Sequence, residues 1–78
     1  MLLLDVSKEP TNTVYYISAV SYGILKDNDG LDCSSLYKAV AEKIMRPQLN
    51  YDFFVMSLDF LFLLNKVLVD NRGELHVH

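Results

Sequence analysis

The stretch that decides the fold is residues 51–65, YDFFVMSLDFLFLLN, in which eleven of fifteen side chains are apolar. The side chain of Asn50 can accept hydrogen bonds from the free backbone N–H groups of a first helical turn, so a helix is predicted to begin there. At about 100° per residue, the face predicted to be buried carries Phe54, Leu58 and Leu61, with Tyr51 and Phe62 beside them.

The remaining sides of this helix are also mostly apolar. The side opposite the predicted core face carries Asp52, Met56, Asp59 and Leu63, and one flank carries Phe53, Phe60 and Leu64. A surface helix normally buries one apolar stripe, whereas a helix that is apolar nearly all round is buried on most sides. A chain of 78 residues has little else to cover it. This shortage of cover is the main indication of function.

The composition indicates one small domain with an excess of apolar side chains. About half of the residues (51%) are apolar, the formal net charge is −3 and the pI is near 5.1. Nothing in this charge balance favours polyanions as partners. The single cysteine, Cys33, excludes an internal disulfide and is typical of a reducing compartment.

Neither a targeting segment nor membrane insertion is predicted. The opening MLLLDV is too short and too soon acidic for a signal peptide. Residues 51–69 have the length of a membrane span, but Asp59 and Lys66 interrupt them, and each charge costs about 2.5–3.5 kcal/mol at mid-bilayer. We therefore expect a soluble, cytoplasmic protein without a membrane partner.

A first helix is predicted to start near Pro10 and the polar residues 11–13. Residues 13–25 contain no charged side chain, which indicates cover on more than one side. The three faces of this helix carry Ile17, Val20 and Ile24, predicted as core, then Tyr15, Ala19 and Tyr22, and lastly Ser18 and Ser21.

A second helix is predicted after the turn at residues 26–30. Asp32 is a good N-cap for a helix from Cys33 to about Met45, and residues 46–49 break the chain before the central helix. One side of the second helix is predicted to be buried and carries Cys33, Leu36, Tyr37, Val40 and Ile44.

A β-hairpin is predicted at the end of the chain, around a type I turn with Gly73 in a left-handed conformation. Its register pairs Asp70 with Glu74, Val69 with Leu75, Leu68 with His76 and Val67 with Val77. The valines and Leu75 share one face. The resulting fold is mainly α with a small β-hairpin: a winged helix-turn-helix over residues 11–78, preceded by an N-terminal arm or short strand at residues 1–10.

A winged helix raises the question of DNA binding, with the third helix in the major groove. Groove-reading helices present side chains such as Arg, Lys and Asn to the bases, whereas this one presents Asp52, Met56, Asp59 and Leu63. The basic residues are scattered, and Arg72 at the wing tip offers only one phosphate contact. Autonomous nucleic-acid binding is therefore not expected.

No catalytic, cofactor or metal site is predicted. A calcium-loop alignment of the first turn places Leu25 and Leu36 where acidic ligands are required. His76 and His78 share one side of a strand, but two imidazoles make no metal site, so a solvated chain end is expected. Cys33 lies on the predicted core face, where cysteine acts as a small hydrophobe rather than a nucleophile. We do not expect an enzyme.

The remaining feature is apolar surface that the chain cannot cover itself, including Leu2–Leu4 at its start. Three helices and a hairpin form few layers, and tyrosine and phenylalanine are enriched in protein interfaces. Six residues are predicted to bind a partner: Tyr15, Ala19, Tyr22, Phe53, Phe60 and Leu64.

Residues 54–67, with the pattern F-x-x-x-L-D-F-L-F-L-L-x-K-V, resemble the middle components of bacterial ABC-three-component systems. A first helix beginning near Asn12, a second containing Leu36 and Tyr37, and a short hairpin complete the resemblance. In that family alanine commonly precedes the Leu-Asp pair and glycine or a small polar residue often follows the run. Ser57 and Asn65 occupy these positions here.

The resemblance implies a non-catalytic winged-helix adaptor that links an ABC/SMC-like ATPase to an effector, often a nuclease, in antiviral or anti-plasmid defence. Two other classes stay open on the residues alone. One is a DNA-binding winged-helix transcriptional regulator or antitoxin that acts as a dimer, and the other is an obligate homodimer. The sequence leaves the effector and any homo-oligomer undetermined.

Overall fold

The computed structural model describes residues 10–44 and 49–78. Three helices are followed by an antiparallel hairpin: α1 (Pro10–Asp27), α2 (Cys33–Lys43), α3 (Tyr51–Leu63), β1 (Val67–Val69) and β2 (Leu75–Val77). The predicted fold class is confirmed, and the arrangement is compatible with a winged helix. The arm predicted at residues 1–10 lies outside the described residues except for Pro10, which starts α1.

The central helix is bounded by local hydrogen bonds at both ends. Asn50 Oδ1 accepts from the backbone N–H groups of Asp52 (2.8 Å) and Phe53 (3.2 Å), as the sequence predicted. At the other end, Asn65 adopts a positive φ of 61°. The Lys66 N–H then donates to the carbonyl oxygen of Leu61 at 2.9 Å. This left-handed closure ends α3 at Leu63 and directs the chain into the hairpin.

The core lies where α1, α2 and α3 meet under the hairpin. The predicted core face of α3 is confirmed, since Phe54, Leu58 and Leu61 are at most 5% exposed. The other members of this core are Ile17, Leu25, Leu36, Val40, Ala41, Ile44, Leu49, Val67 and Leu75.

The structure corrects the predicted core face of α1 and shows how far burial extends at the edge of the α3 core face. Tyr51 and Phe62 lie beside the core face of α3 but are 52% and 36% exposed, because no element covers that flank fully. Val20 and Ile24 are only partly buried, and Leu25 takes a fully buried position instead. The burial of α1 is therefore rotated toward the residues that meet α3.

Serine side chains form the contact between α1 and α3. Ser18, Ser21 and Ser57 are all buried. The Ser57 hydroxyl lies 3.0 Å from the carbonyl oxygen of Val14, and the Ser18 hydroxyl lies 3.3 Å from the carbonyl oxygen of Ser57. Small side chains allow the two helix backbones to approach closely, and the hydroxyls of Ser18 and Ser57 reach backbone carbonyl oxygens there. The buried Ser21 hydroxyl has no hydrogen-bond partner among the described residues, so its small size rather than its polarity fits it to this contact.

The hairpin forms with the predicted register, and Gly73 has the predicted left-handed φ of 83°. Asp70 organises the turn, since its Oδ1 accepts from the N–H groups of Arg72 (2.8 Å) and Glu74 (3.0 Å). The face containing Val67 and Leu75 is buried, whereas Val69 at its outer end is 55% exposed.

The connection between α1 and α2 pairs with the hairpin, which the sequence did not predict. The N–H of Gly30 donates to the carbonyl oxygen of Leu75, and the N–H of Leu75 donates to that of Leu31, both at 2.8 Å. Asp32 forms an isolated bridge with Glu74. The wing is thereby tied to the start of α2. No helix in residues 10–44 and 49–78 is both long and apolar enough to cross a bilayer.

Candidate functional site

An apolar groove of about 230 Å³ runs between α1 and α3. Its lining consists of Tyr15, Ser18, Ala19, Tyr22, Phe60, Leu61, Leu64 and Lys66. Five of the six residues predicted to bind a partner therefore lie around one depression. The sixth, Phe53, packs partly buried against the core and is not part of the lining.

The groove forms because α1 packs along α3 with small residues at the contact. Buried Ser18 and Leu61 lie at the helix contact, while Tyr15 and Leu64 are 65% and 50% exposed. Ala19 is exposed and adds no bulk between Tyr15 and Tyr22. The predicted outward face of α1 and part of the predicted flank of α3 thus face the same space.

The rim of the groove is held by aromatic contacts. The ring of Tyr15 meets that of Phe60 edge to face, with centroids 5.9 Å apart and planes at 70°. The ammonium group of Lys26 lies 5.8 Å from the centroid of Tyr22. Exposed aromatic side chains held in fixed positions lose little conformational entropy when a partner covers them.

Charge in the groove is limited to its edge. Lys66 is the one ionisable basic residue of the lining, and no acidic residue is present there. The groove is therefore suited to apolar side chains rather than to a charged ligand or to a reaction that requires an acid and a base.

A second exposed apolar surface lies on the outward side of α3. Met56 is 43% and Leu63 is 86% exposed, and they alternate along the helix with the exposed residues Asp52 and Asp59. By helical spacing, these four side chains project away from the buried face that carries Leu58. This surface occupies the position where a DNA-binding winged helix would present basic residues, and it contains none.

His76 forms the best-defined polar cluster of the described residues. Its Nδ1 lies 2.6 Å from Asp29 Oδ2, and its Nε2 lies 2.8 Å from Asp70 Oδ2. These hydrogen bonds, the one to Asp29 first, raise the pKa of His76 to about 9 and lower the pKa of both carboxyl groups. His76 stays partly exposed to solvent, but the hairpin brings it against the α1–α2 turn, where its contacts with two carboxylates were not predicted.

The same cluster contains ligand types that metals use, since atoms of Asp70, Glu74 and His76 lie within 4.8 Å of one another. Both imidazole nitrogens of His76 are already engaged by carboxylates. Asp70 also accepts two backbone N–H groups of the turn. The hydrogen bonds within the hairpin and to the α1–α2 turn explain why these side chains lie close together.

Cys33 and Tyr51 form a second local contact. The Cys33 thiol lies 3.8 Å from the Tyr51 hydroxyl, and this contact is the largest cause of a raised pKa at Tyr51. The thiol is partly buried against the core, in agreement with its predicted place on the inner side of α2. It contacts a phenol rather than an imidazole or another general base.

Of the comparisons with known proteins, the one with family models gave a match. Curated proteins and solved structures gave no match to the chain. The model of the family described as ABC-three component (ABC-3C) system Middle Component 6 matches residues 4–78, which include every helix and strand described above. The chain therefore belongs to this family of ABC-three component system middle components.

Proposed function

We propose that this middle component is a non-catalytic adaptor that binds its partner proteins through the groove between α1 and α3. The observation that carries the proposal is the groove itself, in which Tyr15, Ala19 and Leu64 are exposed around an apolar depression. Membership of a multicomponent system supplies the context in which such a surface would be covered.

Exposed apolar area provides the driving force for this binding. Covering a large apolar side chain contributes about 1.5–3 kcal/mol relative to leaving it in water. Tyr15 and Leu64 retain at least half of their accessible surface in the isolated chain. A partner that fills the groove would remove both from water and would contact the Phe60 ring between them.

The proposed partners are an ABC/SMC-like ATPase and an effector of the same system, acting against phage or plasmids. The family match supports participation in such a system, and the groove supports a role in protein contact. A DNA-binding regulator is not proposed, because α3 carries two outward carboxylates and neither Lys nor Arg.

The test is co-purification of the full chain with the ATPase and effector, using Ala19→Arg to fill the groove. Ala19 is exposed on α1, so the longer side chain can be accommodated without disturbing the core. We expect this variant to keep its helical circular dichroism spectrum and to lose its partners. Ser34→Arg is the matched control, since Ser34 is an exposed helical residue of α2 away from the groove.

Retention of both partners by Ala19→Arg at the wild-type level would contradict the proposal. Tyr15→Asp provides an independent second variant, because Tyr15 is 65% exposed and its replacement leaves no buried cavity. Loss of partners in both groove variants, with retention in Ser34→Arg, is the result the proposal requires.

A further inference from the structure

We propose that the outward side of α3 is a second docking surface, separate from the groove, and that it binds an amphipathic protein segment whose apolar side chains are flanked by Lys or Arg. The surface is defined by Asp52, Met56, Asp59 and Leu63. Its occupant is expected to be another subunit of the same system, so the identity of the partner rests on the proposed function. The chemistry of the occupant rests on the surface alone.

The helical phase separates this surface from the groove. The buried residues of α3 are Phe54, Ser57, Leu58 and Leu61, and the groove uses the flank that contains Phe60. Asp52 and Asp59 are seven residues apart and project from the side opposite the core, together with Met56 and Leu63. Phe60 adjoins Met56 and Leu63 on the helix surface, so the two surfaces face different directions but share an edge.

The apolar part of the surface is large for a position exposed to water. Leu63 is the most exposed large hydrophobic residue of the described chain at 86%. Met56, seven residues earlier on the same side of the helix, is 43% exposed. Methionine adapts to partner surfaces of different shape because its side chain is unbranched and flexible. The pair provides two apolar contacts about two helical turns apart, with Asp59 between them.

The two carboxylates determine the charge of the partner. Asp52 and Asp59 are exposed, and neither forms an ion pair within residues 10–44 and 49–78. They lie about 10 Å apart along the helix axis, on either side of Met56. A neutral or acidic partner would desolvate them without compensation, whereas Lys or Arg at a similar spacing would pair with both.

The same charges disfavour a second copy of this chain as the occupant. A twofold contact between two α3 surfaces would place Asp52 and Asp59 of both copies in one interface. Four carboxylates would then face an apolar centre without a cation, which repels the copies rather than holding them.

The test places a photo-crosslinking p-benzoylphenylalanine at Met56 in the full chain, co-expressed with the other subunits of its system. We expect light to capture a subunit other than this chain, through a peptide in which apolar residues are flanked by Lys or Arg. The paired charge reversal Asp52→Lys with Asp59→Lys should reduce that capture about tenfold, and added salt should weaken it. Asp52→Asn with Asp59→Asn, which preserves side-chain shape, should give a smaller loss.

The outcomes separate this proposal from the groove proposal. Capture of a second copy, capture of an acidic segment, absence of any captured peptide, or capture that is unchanged by charge reversal would each overturn it. Combining the crosslinker with Ala19→Arg shows which proposal fails. Persistent capture at position 56 when the groove is filled supports two independent surfaces, whereas loss of capture would show that the outward side has no independent partner.

Discussion

The two leucines Leu58 and Leu63 give the sharpest test of how α3 is oriented. They lie on the same helix with the same side chain, yet Leu58 is 5% exposed and Leu63 is 86% exposed. Replacing a buried leucine with alanine costs about 2–5 kcal/mol through lost transfer energy and the cavity left behind. Replacing an exposed one changes stability by about 0.5 kcal/mol or less.

These magnitudes decide whether the variants fold. A domain of 78 residues has a total stability of roughly 4–12 kcal/mol, so Leu58→Ala removes a large fraction of it. With a urea dependence of about 1 kcal/mol per M, the unfolding midpoint of Leu58→Ala should fall by roughly 2 M or more. Leu58→Met, which nearly conserves volume, keeps the measurement possible if Leu58→Ala does not fold, because it should cost less than about 1.5 kcal/mol.

The assay is urea unfolding followed by circular dichroism, with Leu63→Ala as the control. We expect Leu63→Ala to unfold at the wild-type midpoint and Leu58→Ala to unfold far below it. Equal losses in the two alanine variants, or a larger loss for Leu63→Ala, would refute the orientation of α3 and with it both docking surfaces.

Three further predictions concern the hairpin and nucleic acid. Gly73→Val should destabilise the fold by about 1 kcal/mol or more in urea unfolding, because valine resists the φ of 83°. The pKa of His76 is raised from 6.5 to about 9, so the stability from its carboxylate contacts should be full below pH 6.5 and fall as the pH rises through 9. The lowered pKa values of Asp29 and Asp70 add a second loss at acidic pH below 3.8, and His76→Gln should flatten the alkaline limb of a thermal-melt pH series. In an electrophoretic mobility assay at physiological salt, the chain alone should form no sequence-selective complex with duplex DNA, and a sub-micromolar selective complex would contradict this.

Local signals predicted the central helix and the hairpin correctly. Asn50 begins α3 through contacts within three residues, so its chemistry was sufficient, whereas the left-handed closure at Asn65 was not predicted. Gly73 likewise determined the turn and the strand register. In each case the partner atoms are close in sequence, and the hydrophobic spacing of α3 then indicated which side is buried.

Contacts between distant segments could not be predicted in this way. The bond between His76 and Asp29 spans 47 residues, and the bond between Ser57 and Val14 spans 43. Neither has a local signal, because each depends on how the hairpin and α3 pack against the first helix and its turn. The partial exposure of Tyr51 has the same origin, since it depends on what α2 leaves uncovered.

The sequence predicted most residues of the candidate groove, but it did not predict that α1 and α3 bring them together. The apolar excess of α1 and α3 singled out Tyr15 and Phe60 separately, and only the packed helices place their rings 5.9 Å apart. Helical spacing grouped Phe53 with the same flank, but its side chain packs partly buried against the core and does not line the groove. A helical wheel gives the direction in which a side chain points, but it does not show how closely a neighbouring element covers that side chain.

The central claim, that partners cover the groove, is tested most directly by hydroxyl-radical footprinting of Tyr15 in the free chain and in the assembled complex. Tyr15 is 65% exposed in the chain alone and should be oxidised readily. In the complex its oxidation should fall to the level of the buried Phe54, while Leu68 on the hairpin, 47% exposed, should react as before. Unchanged oxidation of Tyr15 in a complex of confirmed composition would contradict the account.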